Sequence, residues 1–404
     1  MTRSEFAIKL GGPTSRAAAD EVVVIAECDP AQFRTAFLRA AAGTGPVFVA
    51  NPDWAEREWQ EFSVQVALRA GAWDPERGWL MIPTGGTNGG IKLARHDQHT
   101  ITAAVAGYQA HFGADQVNAV GVLPLHHVGG LMGWLRCVLS GGTYRDGDWR
   151  ALQAGRFELE PGDGGTISLV ATQLHQLLQE DEGRAWLRGF SSVLLGGSAL
   201  SASLRESARR AEIRGVPGYG MTETMAMVAA QRPDDFLAGN DEGMPIMPHA
   251  QIEIGEDGRI AITGSSLFRG YWPEQRTTDR WVPADVGVLT AEGALRVSGR
   301  SDDIVISGGE KVDLAEVERV LKELIPSRRW GVVGVSDPRW GQRVVACYAG
   351  GEGLIERDTM STVLAGQLTK FKWPKAYVRV EPWPVNAMGK LNRRRLVECA
   401  TAAR

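Results

Sequence analysis

A chain of 404 residues with 44% apolar and 23% charged side chains has the composition of an ordinary globular protein, long enough for about two or three domains. Its net charge of -4 and isoelectric point near 6.0 supply no bulk attraction for nucleic acid or an anionic membrane surface. Cys28, Cys137, Cys347 and Cys399 are too scattered for a zinc site or a disulfide framework and read as reduced, buried thiols. Met1 to Gly12 lacks the continuous apolar run of a secretory signal. Gly129 to Leu139, the most apolar stretch, is too short for a membrane span and contains Arg136, so the expected location is the cytoplasm.

Residues Glu21 to Asn51 alternate a β-rich run (Val22 to Ile25), a helical pattern (Phe33 to Ala42) and a second strand-like run (Val47 to Ala50), which is the rhythm of an α/β fold. A helix is expected from Trp54 to Ala70. Gly78 to Pro83 then reads as a buried strand that opens into Thr84-Gly85-Gly86-Thr87-Asn88-Gly89-Gly90 and closes on Ile91-Lys92. Glycines permit φ > 0 and bring backbone N–H groups close to a phosphate; Thr84 and Thr87 add hydroxyls and Lys92 a point charge. The spacing departs from that of the P-loop NTPases: counted from Gly85, Ile91 falls where the lysine belongs, and Leu93 follows Lys92 in place of the magnesium-binding hydroxyl. By itself the stretch is also compatible with a plain turn. Ile91 to Ala94 reads as a short strand, and a helix follows from Asp97, its N-cap, to His111.

Val117 to Leu123 is a strand ending in Pro124-Leu125-His126-His127-Val128-Gly129-Gly130. Adjacent histidines without further ligands at metal spacing suit a pocket wall or the cap of the next helix, Leu131 to Ser140. Thr166 to Ala171 is another strand, with a helix to Leu178. Ser192 to Ser198 and Gly215 to Thr224 both run from strand into glycine, and ligands in open α/β sheets bind at such carboxyl ends. Tyr219 to Thr224 offers an aromatic ring for a base, hydroxyls for phosphate, and in Glu223 a carboxylate for a hard cation such as Mg²⁺.

From Gly243 to Tyr271 short strands and turns suggest a small β subdomain. Val286 to Thr290 and Ala294 to Val297 form a hairpin just after Asp285. Gly299-Arg300-Ser301-Asp302-Asp303 breaks the apolar pattern and marks a domain boundary. Residues 1–300 would form a large domain and 301–404 a smaller α+β one, with an amphipathic helix from Asp313 to Leu324, strands at Val332 to Val335, Val344 to Tyr348 and Tyr377 to Val380, and a helix from Thr359 to Leu368.

Together these stretches resemble the adenylate-forming superfamily of acyl-CoA synthetases, peptide-synthetase adenylation domains and firefly-type luciferases. Pro83 to Lys92 is similar to its phosphate loop and Tyr219 to Thr224 to its aromatic-Gly-x-Thr-Glu motif. Asp285-Val286-Gly287 and Arg300 are similar to its ribose-binding elements, with Asp302 at its hinge. Gly308-Gly309-Glu310-Lys311-Val312 with Glu316, Phe371-Lys372-Trp373-Pro374 and Gly389-Lys390 resemble its closing motifs. Departures are Gly85 in place of Ser, Ile91 in place of Pro, and Pro283-Ala284 in place of Thr-Gly. Within the superfamily, Pro124 to Gly130 and Pro233 to Asn240 resemble the o-succinylbenzoate–CoA ligase family of menaquinone and phylloquinone synthesis.

The resemblance implies an α/β fold: a large N-terminal domain of α/β layers with a small β subdomain, and a mobile, smaller α+β C-terminal domain. It implies an enzyme using ATP, Mg²⁺ and coenzyme A on a small-molecule carboxylic acid, with no nucleic-acid partner, and leaves open whether it forms a homodimer. Lys390, Thr222 and Glu223 would be catalytic, Glu223 holding the metal. Thr84, Gly85, Gly86, Thr87, Asn88, Gly89, Lys92, Gly197, Tyr219, Gly220, Asp285 and Arg300 would bind ATP or AMP. His127, Gln173 and Ser198 would line the acyl pocket. Asp302, Gly308, Gly309 and Lys311 would serve the hinge and the thiol half-reaction.

Overall fold

The computed structural model describes residues 1–12, 21–54, 56–67, 78–85, 91–159, 161–162, 164–197, 199–274, 276–307, 310–337, 340–365, 367–368, 370–385 and 390–403. They fall into two compact units. One comprises 1–84, 91–282 and 288–297; the other comprises 85–90, 283–287 and 298–404.

The first unit opens with a helix absent from the sequence reading, α1 (Arg3–Lys9), which Thr2 and Glu5 start as a reciprocal capping box. Strands β1 (Val23–Ile25), β2 (Val47–Val49), β3 (Leu80–Gly85) and β4 (Ile91–His96) make a four-stranded sheet in chain order. Between them lie α2 (Pro30–Ala41), begun by the Asp29 cap, and α3 (Glu56–Ala67). Trp54 precedes the regular helix, and residues 55 and 68–70 of the expected span lie outside the described ones. Leu80, Met81 and Ile82 are fully buried, as a continuous apolar strand covered on both faces must be.

Helix α4 (Gln98–Phe112) starts at Asp97, as predicted: its Oδ1 accepts the N–H groups of His99 and Thr100, both at 2.9 Å. A second sheet follows, built from β5 (Asn118–Gly121), β6 (Tyr144–Asp146), β7 (Gly165–Val170), β8 (Ser192–Gly196), β9 (Gly215–Met221) and β10 (Ala226–Ala230) in the order β10-β9-β8-β7-β5-β6. All its pairings are parallel except β9–β10. Helix α5 (Val128–Ser140) follows β5, and α6 (Trp149–Gln153), α7 (Ala171–Leu177), α8 (Asp181–Arg188), α9 (Ala202–Arg210) and α10 (Pro233–Leu237) complete the layers. The expected β subdomain is the antiparallel set β11 (Ala250–Ile254), β12 (Ile260–Gly264) and β13 (Arg280–Trp281). Next come the paired strands β14 (Asp285–Leu289) and β15 (Leu295–Arg300).

The second unit carries β16 (Ile304–Ser307), β17 (Glu310–Asp313), β18 (Arg329–Asp337), β19 (Gly341–Ala349) and β20 (Ala376–Arg379) in one sheet, with α11 (Leu314–Leu324), α12 (Arg357–Leu364) and α13 (Arg393–Ala402). Its core gathers Val317, Leu321, Trp330, Val344 and Tyr348. All four cysteines are free thiols. Cys137 and Cys347 are buried as expected, whereas Cys28 is exposed and Cys399 half-buried, since Cys28 sits outside the cap of α2 rather than in a strand or apolar helix face. Among the described residues no helix is long and apolar enough to cross a membrane.

Candidate active site

Strands β5, β7, β8 and β9 are parallel neighbours, so their carboxyl ends open along one edge of the sheet. That edge receives His127 after β5, Gln173 after β7, Gly197 after β8, and Thr222 with Glu223 after β9. Residues from four distant stretches of sequence thus lie along the edge where ligands bind in open α/β sheets. His127 occupies the N-cap position of α5 without a side-chain capping bond, its ring centroid 4.3 Å from that of His126. Burial, and then the neighbouring His127, push the His126 imidazole down to about 3, so it is neutral. Gln173 is buried, and its side-chain oxygen accepts Val170 N–H at 3.1 Å, committing it to the start of α7. Ser198 lies outside the described residues.

A small cavity lies against the same strands, lined by Leu123, Gly129, Gly130, Arg136, Tyr144 and Thr166 among others. Glycine is obligatory at Gly130, where a Cβ would stand 2.2 Å from the Pro124 carbonyl oxygen. Arg136 enters from α5, only 4% exposed, with its guanidinium carbon 4.4 Å from the centroid of the Tyr108 ring. Its Nε has no hydrogen-bond partner, and no ion pair joins it among the described residues. Burial holds its pKa below the ordinary arginine value.

Thr222–Thr224 forms a short 3-10 turn whose three carbonyls are each held from another element. Thr222 O accepts from His96 Nε2 at 2.8 Å, Glu223 O from Phe268 N at 2.8 Å, and Thr224 O from Ser266 Oγ at 3.0 Å. Because a carbonyl only accepts, His96 carries its proton on Nε2, and Nδ1 faces Thr100 Oγ1 at 3.1 Å. The turn exits through Met225 (φ 53°) and Ala226 (φ 81°), left-handed conformations rare for residues with a Cβ and the kind of local strain that clusters at functional sites. Glu223 is 7% exposed, and its Oε1 accepts the Tyr271 hydroxyl at 2.5 Å. Among the described residues no group of three or more His, Cys, Asp or Glu side chains is placed to hold a metal ion. A cation here would have Glu223 as its protein carboxylate; Mg²⁺, which commonly takes one or two carboxylates and completes its shell with phosphates and water, fits that donor.

The stretch expected to bind phosphate begins at Thr84, half-buried at the end of β3, and Gly85 closes that strand; Gly86, Thr87, Asn88 and Gly89 lie outside the described residues. Lys92 is exposed on β4, its ammonium 5.1 Å from the Tyr271 ring centroid. Two residues of α3 anchor the start of β4: Ile91 N donates to Glu61 at 2.9 Å, and Gln65 donates to the Ile91 carbonyl. Tyr219 is half-buried in β9. Gly220 has a packing reason of its own, because a Cβ there would lie 1.9 Å from the Ala226 carbonyl oxygen on β10.

In the second unit Arg300 pairs with Asp285 at 3.2 Å. Asp302 lies in the short turn Ser301–Asp303 and Lys311 in β17, while Gly308 and Gly309 lie outside the described residues. Lys372 Nζ sits 2.6 and 2.8 Å from the two Glu316 carboxylate oxygens, joining two of the closing motifs. Lys390 precedes Leu391, which bridges to Val385. Its side chain stays accessible to solvent, yet surrounding protein displaces enough water to bring its ammonium below the ordinary lysine range.

A sequence profile described as AMP-binding enzyme matches residues 16–272. The chain belongs to the AMP-binding enzyme family. Similar relatives include 2-succinylbenzoate--CoA ligases of Listeria monocytogenes, 29% identical over 89% of this chain and 76% of that protein, and of Listeria innocua, 31% identical over 81% and 71%. Among solved structures, o-succinylbenzoate CoA synthetase from Bacillus subtilis in complex with the acyl-adenylate intermediate OSB-AMP covers 98% of this chain and 91% of its own, with a TM-score of 0.80 at 20% identity. The same enzyme in complex with ATP and magnesium ion gives 0.77 at the same identity. The α/β adenylate-forming fold is thereby shared.

For an AMP-binding enzyme, the sequence reading assigned no site role to two groups. One is the support of the Thr222–Thr224 turn by His96, Ser266, Phe268 and Tyr271, contacts made across 42 or more residues. The only available signal was the polar-aromatic run Phe268-Arg269-Gly270-Tyr271-Trp272. The other is Arg136, a lone charge inside an otherwise apolar helix.

Proposed function

We propose that this chain is a 2-succinylbenzoate–CoA ligase, joining an aromatic dicarboxylic acid to coenzyme A through an acyl-adenylate and serving menaquinone or phylloquinone synthesis in the cytoplasm. The observation that carries the substrate class is Arg136: a buried guanidinium that no carboxylate among the described residues pairs, at a glycine-lined cavity beside the proposed catalytic edge, is the cation a second substrate carboxylate requires. Relatives bearing the ligase name support the same assignment.

In the first half-reaction one substrate carboxylate attacks the α-phosphorus of ATP and pyrophosphate leaves. Charge builds on the phosphate oxygens, so donors fixed in advance lower the barrier without reorganisation. The Thr222 hydroxyl and Lys390 ammonium would face that charge, and Lys92, Thr84 and the loop N–H groups would hold the outgoing phosphates. Glu223 would hold Mg²⁺, whose charge offsets that of the phosphates when bound. Tyr219 would stack on adenine, and Asp285, with Arg300 beside it, would take the ribose hydroxyls. In the second half the coenzyme A thiol displaces AMP, with Lys311 and the Gly308-Gly309 segment serving that step after rotation at Asp302.

Pyrophosphate exchange over a panel of carboxylic acids tests this reading. Exchange with 2-succinylbenzoate well above that with benzoate or fatty acids is expected. Exchange with the latter alone would assign a ligase of other specificity, and transfer to a carrier protein in place of coenzyme A would assign a loading enzyme.

A further inference from the structure

The strand that leaves the phosphate loop is laced to Arg269–Trp272. Arg95 N donates to Gly270 O at 2.9 Å, Arg269 N to Arg95 O at 2.7 Å, and Trp272 N to Leu93 O at 2.8 Å. This register sets Tyr271 opposite Ala94. Alternate residues of a strand share a face, so Lys92 points the same way as Ala94 and its ammonium comes to the Tyr271 ring, 5.1 Å from the centroid. Three residues earlier, Phe268 N holds the Glu223 carbonyl at 2.8 Å, which ties the Glu223 turn to the same segment. The phenol therefore reaches Glu223 Oε1 at 2.5 Å, a charge-assisted bond. Rings of Phe268 and Trp281, with centroids at 5.0 and 5.9 Å, hold Tyr271 edge-on.

One ring thus touches both members of an oppositely charged pair. A direct Lys92–Glu223 ion pair would consume the phosphate-loop cation and the carboxylate together. We propose that Tyr271 is a positioning residue for adenylation: its hydroxyl aims Glu223 so that one oxygen remains for a divalent cation, and its ring keeps Lys92 from closing on that carboxylate. The inference rests on the reading of Glu223 as the cation ligand.

The test uses the full chain, with Mn²⁺ as probe. Free Mn²⁺ is followed by electron paramagnetic resonance in the presence of ATP, and metal-free ATP binding by calorimetry, for the wild type, Tyr271→Phe and Tyr271→Leu, with thermal melts to establish folding. Tyr271→Phe should loosen Mn²⁺ in the ATP complex about ten-fold, the usual effect of removing a bond that orients a metal ligand, and leave metal-free ATP binding unchanged. Tyr271→Leu should also weaken metal-free ATP binding, and adding Glu223→Gln should restore it by releasing Lys92. Wild-type Mn²⁺ affinity in Tyr271→Phe, or undiminished metal-free ATP binding in Tyr271→Leu, would overturn the inference alone. A wild type that binds ATP but recruits no Mn²⁺ would overturn it together with the role of Glu223.

Discussion

On the proposed assignment, Arg136 trades stability for recognition. A charge removed from water without a counterion is costly, whereas a substrate carboxylate arriving beside it finds a partner already stripped of water. Arg136→Leu should therefore raise the melting temperature or leave it unchanged, while raising KM for 2-succinylbenzoate. A charge-assisted contact is worth about 2–3 kcal/mol, roughly 30- to 150-fold. Activity with benzoate, which lacks the second carboxylate, should change little; equal losses for both acids would remove Arg136 from the substrate site. Glu223, Asp285 and Lys390 were legible as chemistry because each stands in a short motif. Arg136 was not, because position in the chain carries no record of the cavity its helix faces.

At the scale of elements, the Thr222–Thr224 turn is held locally by the Thr224 hydroxyl, which accepts Met221 N–H at 2.9 Å, and from outside by His96, Ser266 and Phe268, and part of that outside support titrates. Burial, partly offset by the bond to Thr222, lowers the His96 imidazole to about 4 from an ordinary 6.5. A histidine with a depressed folded-state value binds its proton more readily when unfolded. Its contribution is present in full above about 6.5 and is lost as pH falls toward 4, on the order of 3 kcal/mol. Melting temperature should thus drop steeply between pH 6.5 and 4.5, and His96→Asn should flatten that slope while lowering stability at pH 7. Gly220 makes a separate prediction. Gly220→Ala forces a methyl against the β10 backbone and should destabilise by about 1–3 kcal/mol in denaturant titrations. Gly196→Ala, where a Cβ meets nothing within 4 Å, should be neutral. Strand and helix periodicity placed β3, α4, β7 and α11 to within a few residues, because those elements carry their own apolar pattern and caps. The contacts that pin the turn depend on which strands become neighbours, and no local pattern encodes that.

For the whole molecule, the division of labour between units is the main consequence of the fold. Glu223, Thr222 and Lys92 belong to the first compact unit, whereas Asp285, Arg300 and Lys390 belong to the second. On the proposed assignment, with Lys390 catalytic and Glu223 holding the cation, the reaction would draw on both units and could be gated by motion between them, as conformational steps set the rate of many enzymes. Gating also lets one protein run two chemistries in succession, provided the lysine needed for the first is withdrawn for the second. Lys390→Ala should accordingly abolish 2-succinylbenzoate-dependent pyrophosphate exchange, with losses on the order of 100-fold or more expected when a cation facing transition-state charge is removed. Thioester formation from supplied acyl-adenylate and coenzyme A should persist near the wild-type rate. Parallel measurement of the two half-reactions separates this from a folding defect, which would depress both. A Lys390 variant that lost both halves equally while melting like the wild type would instead put the lysine at a shared site and remove the argument for alternation.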